Sequence, residues 1–299
     1  MIELPLPPGV ERQVIDTPLG QVTALRAQPQ STQSAQSTHG PQSTQSPQSP
    51  QSPQSPQVAV MVSGFFGTKE DFREVLPLLA AAGYDGWAYD YPGQLGEDSV
   101  KDPSRYTIPY MAAQLREIIR AVGDDRPAHV VGHCLGGFVA RDAVLKEPDL
   151  ARSLTLLSCG PSMREPKHRA MLGGLMMMHK NGGTITLWPL VKRLLAEDDK
   201  VMREFWHTKL ATLNPLFVNG AAQSMGEQQD RSAELIAAGI PSLVVHGKRD
   251  KRLWSPGAYS DMAKVLDAGL VVIDKAAHSP NMEQPAPTAR ALLNFWGPA

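Results

Sequence analysis

The feature that most constrains the fold of this chain is the segment Ala128-His-Val-Val-Gly-His-Cys-Leu-Gly-Gly137. Its first half is an apolar run typical of a buried strand, and a helical pattern begins directly after it. Its glycines permit a turn that is too sharp for larger residues. The N-terminus of the following helix carries partial positive charge, which favours thiolate over thiol at Cys134. The segment therefore predicts a strand–turn–helix unit with Cys134 as a nucleophile, although most free cysteines are simply buried in the core.

Apolar runs alternate with helical patterns from residue 58 to the C-terminus. The predicted strands are residues 58–62, 86–89, 128–132, 153–157, 242–246 and 270–273. The predicted helices are residues 70–82, 109–122, 136–146, 256–266 and 286–295. This alternation indicates βαβ units, and hence an α/β fold with a mostly parallel central sheet flanked by helices.

Three stretches depart from this alternation and suggest a division into domains. Residues 1–27 include a hairpin pattern over 10–27 that is predicted to join the core sheet. Residues 28–57 are rich in Gln, Ser and Pro, and we predict a disordered insertion because they have almost nothing apolar to bury. A Pro-rich partner-binding role for them is the less favoured alternative. Residues 161–240 contain helical patterns without a convincing strand, so we predict a helical cap. The core then consists of residues 58–160 and 241–299.

Composition argues against several classes of function. The chain has 29 basic and 30 acidic residues, a formal net charge of -1, which gives no basic footprint for nucleic acid. No stretch approaches the roughly 20 apolar residues that span a bilayer, and the first residues lack the pattern of a secretory signal. Cys134 and Cys159 are the only cysteines, too few for a disulfide framework. We therefore expect a cytoplasmic protein with reduced thiols.

The glycine-flanked cysteine resembles a known motif. Gly-x-Cys-x-Gly-Gly at residues 132–137 is similar to the nucleophile elbow, Gly-x-Ser-x-Gly, of the α/β-hydrolase superfamily, with cysteine in place of serine. Cysteine at this position is similar to the dienelactone hydrolases and the polyhydroxyalkanoate synthases. Residues 90–96, Asp-Tyr-Pro-Gly-Gln-Leu-Gly, resemble a structural turn of the superfamily. The resemblance covers the chain from about Val58 onward apart from the cap, and it implies the α/β-hydrolase fold with a helical cap insertion.

The superfamily's order of nucleophile, acid and base continues downstream of Cys134. His-Gly-Lys-Arg-Asp at residues 246–250 resembles the segment that carries the acid, and Asp-Lys-Ala-Ala-His at residues 274–278 resembles the segment that carries the base. The resemblance implies that Asp250 orients His278 and that His278 takes and returns the proton of Cys134. Asp274 is a rival acid, and surface positions for Asp250 and His278 are the plainer alternatives.

The predicted oxyanion hole consists of two backbone N–H groups, those of Phe65 and Leu135, with Phe66 as the alternative to Phe65. Ser63 stands where related hydrolases carry a histidine that braces this loop. For the substrate pocket we predict an apolar space between cap and sheet, lined by Phe66, His133, Trp188 and Met177. Simple packing of the cap onto the core is an equally good explanation of its methionine and aromatic residues.

These expectations combine into a functional hypothesis. The resemblance implies hydrolysis of a small-molecule carboxylic ester, thioester or lactone through an acyl-cysteine intermediate. Acyl transfer from the same intermediate and a non-catalytic, ligand-binding role are the alternatives. We predict no cofactor and no metal site, because the glycine-rich pieces lack the spacing of phosphate or dinucleotide loops and no third ligand joins His129 and His133. A redox role of Cys159 beside Cys134 is left open.

Overall fold

The fold is built on one sheet, which we describe in a computed structural model covering residues 3–30, 55–94, 101–191, 200–251 and 253–299. Residues 31–54, the greater part of the predicted disordered insertion, lie outside the described residues. The strands are β1 (Val10–Thr17), β2 (Gly20–Ala27), β3 (Gln57–Val62), β4 (Tyr84–Tyr89), β5 (Ala128–His133), β6 (Ala151–Leu157), β7 (Ser242–Gly247) and β8 (Gly269–Ile273). Each of the six core strands begins and ends within two residues of its predicted bounds.

The eight strands of the described chain have the order β1-β2-β4-β3-β5-β6-β7-β8. The hairpin β1–β2 is antiparallel and joins β4 in antiparallel fashion, whereas all pairs from β4 to β8 are parallel. Every residue of β5 is buried, because this strand lies in the middle of the sheet between β3 and β6. The predicted mostly parallel α/β sheet is thus confirmed, and the elbow cysteine follows a central strand.

Helices connect the strands and cover both faces of the sheet. They are α1 (Leu76–Ala81), α2 (Ile108–Gly123), α3 (Leu135–Lys146), α4 (Pro166–Gly182), α5 (Trp188–Val191), α6 (Lys200–Thr212), α7 (Pro215–Gly226), α8 (Ser232–Ala237), α9 (Pro256–Val265), α10 (Pro280–Glu283) and α11 (Pro285–Trp296). The helices from α4 to α8 all lie between β6 and β7, and we call this segment the helical insertion. No helix in the described ranges is both long and apolar enough to cross a bilayer.

One predicted helix is wrong in its extent. The pattern predicts a helix over residues 70–82, whereas the structure has a short 3-10 turn at Lys69–Phe72 and an α-helix that begins only at Leu76. Proline lacks the N–H that a helix interior needs, but it fits the first turn. Pro77 therefore lies in the first turn of α1 and not in the middle of a longer helix.

Candidate active site

Cys134 occupies the turn between β5 and α3 in a backbone conformation that non-glycine residues rarely adopt. Its φ is 52° and its ψ is -112°. The surrounding backbone fixes this conformation, because the N–H of Cys134 donates to the carbonyl of Leu157 at 3.0 Å and its own carbonyl accepts from Gly137 at 3.0 Å. Strained residues of this kind persist only where their neighbours hold them, and they concentrate at functional sites.

Close backbone contacts explain the glycines on either side of Cys134. A methyl group at residue 132 would lie 2.3 Å from the carbonyl oxygen of Gly136, and one at residue 136 would lie 2.3 Å from the carbonyl oxygen of Val62. Atoms of β3, β5 and α3 therefore approach each other at distances that a larger residue would prevent. The sharp turn predicted from the sequence is present.

The loops after β7 and β8 bring Asp250 and His278 together at the elbow. The Nδ1 atom of His278 lies 2.9 Å from Oδ2 of Asp250, and Cys134 lies close enough to the same imidazole to raise its pKa. Asp250 is 1% exposed and Cys134 is 5% exposed, so both lie inside the protein. The rival acid, Asp274, pairs at the surface with Lys248.

The electrostatics favour a positive charge on His278. Burial opposes that charge, but the negative charge of Cys134 and the hydrogen bond to Asp250 outweigh it and raise the pKa of His278 to about 10. His278 is thus protonated at neutral pH, between Asp250 and Cys134. Cys159 differs, because it is only 1% exposed and burial raises the pKa of its thiol. Cys159 therefore remains a protonated core cysteine, packed against Gly137.

Two residues that support this site have no counterpart in the sequence motifs. The hydroxyl of Tyr259, in α9, donates to Oδ2 of Asp250 at 3.0 Å. Glu283 accepts from the backbone N–H of Ala277 at 2.8 Å and from that of Ser279 at 3.0 Å, and these two residues flank His278. Ser-Pro followed by an acidic residue is a helix-start pattern that points to Glu283, but no local signal marks Tyr259.

The predicted oxyanion loop turns tightly between β3 and the 3-10 turn. The N–H of Gly67 donates to the carbonyl of Gly64 at 2.9 Å. Related hydrolases brace this loop with a histidine at the position of Ser63. Here the hydroxyl of Tyr91 donates to the carbonyl of Ser63 at 3.2 Å, and Gln94 donates to the carbonyl of Gly67 at 2.7 Å. Two side chains of the turn after β4 thus brace the loop in place of a histidine.

The two predicted oxyanion donors are the backbone N–H groups of Phe65, in this loop, and of Leu135, at the start of α3. Leu135 is the first residue of α3, where a backbone N–H has no partner within the helix. The ring of Phe65 packs against that of Phe217 of the helical insertion, with centroids 5.7 Å apart. The assignment of Phe65 and Leu135 as oxyanion donors stays a prediction.

Five charged residues lie buried next to the oxyanion loop, and we call them the buried charge cluster: Lys69, Glu70, Asp71, Asp90 and Lys209. The backbone N–H of Lys69 donates to Asp90 at 2.7 Å, and its ammonium group contacts both Asp90 and Glu70. Burial opposes the charge of Lys69, but the two carboxylates outweigh it and raise its pKa. Lys209, from α6, reaches Asp71 at 3.3 Å and so ties the helical insertion to this loop.

The four predicted pocket residues fall into two groups. His133 is 4% exposed, and its Nε2 lies 2.8 Å from the carbonyl oxygen of His278, so Nε2 donates. Burial lowers the pKa of His133 to about 3, which keeps the ring neutral. Phe66 packs edge-on against Phe65 beside the elbow. Trp188 and Met177 belong to the helical insertion instead.

The contacts of Trp188 and Met177 are within the insertion. Trp188 packs edge-on against His207, with centroids 5.2 Å apart. Met177 is 66% exposed. It lines a groove of about 490 Å³ with Met176, His179, Lys180, Pro215 and Asn219. His133 thus lies at the end of β5 directly before Cys134 and Phe66 packs against Phe65, whereas Met177 lies at an open surface. Within the described ranges, no group of three or more metal-ligating side chains is assembled.

Comparison with known proteins places the chain in a family. Residues 59–291 match the model of the alpha/beta hydrolase family, and the chain belongs to that family. It is 26% identical over 251 residues to a protein of Pseudomonas savastanoi provisionally named carbamate hydrolase RutD, covering 79% of this chain and 92% of that one. It is 24% identical over 231 residues to the pimeloyl-[acyl-carrier protein] methyl ester esterase of Aeromonas salmonicida, covering 73% and 87%. A hydrolase structure from Pseudomonas aeruginosa superimposes with a TM-score of 0.73 at 18% identity, covering 96% and 98% of the two chains.

Proposed function

We propose that this protein hydrolyses a small-molecule carboxylic ester, thioester or lactone through an acyl-cysteine intermediate on Cys134. The observation that carries the proposal is the hydrogen bond of His278 to Asp250 beside Cys134, which occupies a strained turn after a central strand. The order of these residues along the chain is that of the family. The names of the two curated relatives, a carbamate hydrolase and a methyl ester esterase, also describe attack on an acyl carbonyl.

The geometry supports a two-step reaction. The thiolate of Cys134 attacks the carbonyl carbon, and the carbonyl electron pair moves onto oxygen, which accepts hydrogen bonds from the N–H groups of Phe65 and Leu135. Donors of this kind contribute on the order of 3 kcal/mol each. As the tetrahedral intermediate collapses, the imidazolium of His278 protonates the leaving alcohol or thiol. The neutral imidazole then takes a proton from water, whose oxygen attacks the thioester and releases the acid and the thiolate. Asp250 orients the ring throughout.

The helical insertion, residues 161–240, serves in this proposal as a cap over the acyl group. Phe217 of α7 packs against Phe65 and also against Tyr91, with centroids 6.0 Å apart. The contact that α7 makes with Phe65 is therefore aromatic, which suits an apolar acyl chain beside that residue. Phe66 and His133 border this region, and we retain them as pocket residues. Trp188 and Met177 contact other parts of the insertion, and they have weaker support.

The test compares two cysteine variants in fully reduced protein. We expect Cys134→Ala to lose at least about 1000-fold in kcat towards p-nitrophenyl esters and acyl thioesters, because the nucleophile is gone. Cys159→Ala is the matched control, since it removes a buried thiol that stays protonated, and it should retain activity. Mass spectrometry of quenched reactions should find one acyl group on Cys134. Full activity of Cys134→Ala would refute the proposal.

Two further results separate the alternatives. Acceptor alcohols or thiols added to the acyl-enzyme should leave the acid as the main product, and a transfer product in excess would assign acyl transfer instead. The raised pKa of His278 means that its imidazolium persists at neutral pH and is lost as pH rises through about 10, which removes the positive charge beside the sulfur of Cys134. Alkylation of Cys134 by iodoacetamide should therefore show a change in this range that is absent from Cys134→Ala.

A further inference from the structure

The hydroxyl of Tyr259 and the imidazole of His278 bind the same oxygen of Asp250. Oδ2 accepts from the tyrosine hydroxyl at 3.0 Å and faces Nδ1 of His278 at 2.9 Å. Tyr259 has no exposed surface, and the side chain of Asp250 has none either. Buried hydrogen bonds to a carboxylate are stronger than those between neutral groups.

We propose that Tyr259 is a positioning residue that fixes the carboxylate of Asp250 opposite His278. This inference rests on the proposed function, in which Asp250 orients the base. A carboxylate can rotate about its terminal bond unless the donors around it fix the positions of its oxygens. A second donor at 3.0 Å to the same oxygen selects one rotation, the one in which Oδ2 faces Nδ1.

Packing holds Tyr259 itself in place. Its ring stacks on that of His246, with centroids 4.4 Å apart and an interplanar angle of 9°. The ring of Trp254 packs against its edge at 6.2 Å, and the indole N–H of Trp254 is fixed by the carbonyl of Ser162 at 2.9 Å. The hydroxyl is therefore presented by a rigid element, as positioning requires.

The protonation state of Tyr259 agrees with this role. Burial and the adjacent negative charge of Asp250 both raise the pKa of Tyr259, so the hydroxyl keeps its proton and serves as a donor. In the described chain, the titratable groups facing His278 are Cys134 of the elbow, Asp250 of the loop after β7 and the neutral ring of His133, at a centroid distance of 5.2 Å. Among them, Asp250 is the group that Tyr259 contacts.

The experiment substitutes Tyr259→Phe, which keeps the stacked ring and removes only the donor. Without the hydroxyl the carboxylate gains rotational freedom, and the hydrogen bond to Nδ1 weakens. We expect kcat to fall about tenfold with little change in KM. We also expect the pKa of His278 to fall by roughly one pH unit, because a less well placed carboxylate stabilises the imidazolium less. NMR of protein with ¹⁵N-labelled histidine measures this pKa directly, with His278→Gln to assign the resonance.

Tyr84→Phe is the matched control. Tyr84 also has a fully buried side chain whose hydroxyl donates one hydrogen bond, to the carbonyl of Gly297 at 2.7 Å, but that partner lies near the C-terminus. A purely structural loss should be similar in the two variants in thermal unfolding and should leave the titration of His278 unchanged. A shift of the His278 titration in Tyr259→Phe alone supports positioning.

An unchanged titration, or a rise in the pKa of His278, would overturn the inference, because a rise would mean that Tyr259 tunes charge and does not fix geometry. The NMR measurement needs no turnover, so its result stands even if wild-type protein lacks activity dependent on Cys134 and the proposed function fails. If Tyr259→Phe does not fold, replacing all tyrosines by 3-fluorotyrosine, a stronger donor, must shift the Nδ1–H resonance of His278. An unshifted resonance would equally overturn the inference.

Discussion

The two sides of Cys134 are held by different kinds of interaction. On the base side, the loops after β7 and β8 are held by hydrogen bonds around two carboxylates, those of Asp250 and Glu283. On the oxyanion side, the loop after β3 lies against the buried charge cluster, in which Lys69 and Lys209 pair with carboxylates. One side therefore depends on oriented hydrogen-bond donors, and the other depends on buried ion pairs in which two lysines face three carboxyl groups.

This difference has consequences for substitution. When a hydrogen bond is lost, a small shift or a water molecule can satisfy the group that remains, so the loss in unfolding free energy is modest. The main effect is on the positions of the reacting groups, and therefore on kcat. When one partner of a buried ion pair is removed, the other charge stays buried without compensation, and the free energy of unfolding falls. We therefore expect substitutions on the oxyanion side to affect stability first, and those on the base side to affect kcat first.

The largest expected effect is that of Lys69→Met. This substitution leaves Asp90 and Glu70 buried without their shared cation, and breaking a buried pair in this way costs about 3–5 kcal/mol. Urea unfolding followed by circular dichroism should show this loss in the free energy of unfolding. The control, Lys248→Met, removes a lysine that pairs with Asp274 at the surface, where both side chains are more than half exposed. It should unfold like the wild type, and equal stability of the two variants would contradict the comparison.

The second prediction concerns the loop itself. In Gly67→Ala the new methyl group would lie 2.6 Å from Asp71 Oδ2 and 2.7 Å from the backbone nitrogen of Gly64. The loop must then shift, and with it the predicted donor at Phe65. Losing one oxyanion donor lowers kcat by about a hundredfold or more. Steady-state kinetics with an ester substrate, checked for retained fold, measures the effect.

Gly173→Ala is its control, because a methyl group at residue 173, in α4, would meet nothing within 4 Å. Alanine is the better helix former, so this variant should gain about 0.5–1 kcal/mol and keep its activity. A Gly67→Ala enzyme with wild-type kcat would remove the oxyanion role from this loop.

The sequence predicts features that neighbouring residues encode, but it does not predict contacts between distant residues. The strands, the elbow and the segments that carry Asp250 and His278 are each encoded within a few neighbouring residues, so periodicity predicts the strands and motif spacing indicates the three candidate residues. The ion pair of Asp71 with Lys209 joins residues 138 positions apart. The contact of Tyr259 with Asp250 depends on how α9 packs on the sheet. Pairings of this kind arise only from tertiary packing, for which a single sequence carries no local signal.

The predicted pocket residues of the helical insertion also depend on tertiary packing. Met177 and Trp188 belong to an apolar and aromatic stretch of the helical insertion, and composition alone cannot say which face of a helix turns inward. The structure leaves Met177 66% exposed, whereas Phe217, on the neighbouring α7, is fully buried against Phe65. Phe217 is thus an insertion residue that contacts Phe65 of the oxyanion loop, and no local pattern around residue 217 indicates that contact.

The smallest expected effect belongs to Glu283 on the base side. Glu283→Ala removes the acceptor for both N–H groups that flank His278, whereas Glu283→Gln keeps one acceptor oxygen. Because Glu283 is exposed, water can replace much of what is lost. We expect kcat to fall about threefold in the alanine variant and by less in the glutamine variant, at nearly unchanged stability. Asp274→Ala, at the other end of the same loop, is the control and should retain full kcat. If Glu283→Ala lost as much unfolding free energy as Lys69→Met and kept its kcat, the two sides of Cys134 would not differ in the way proposed.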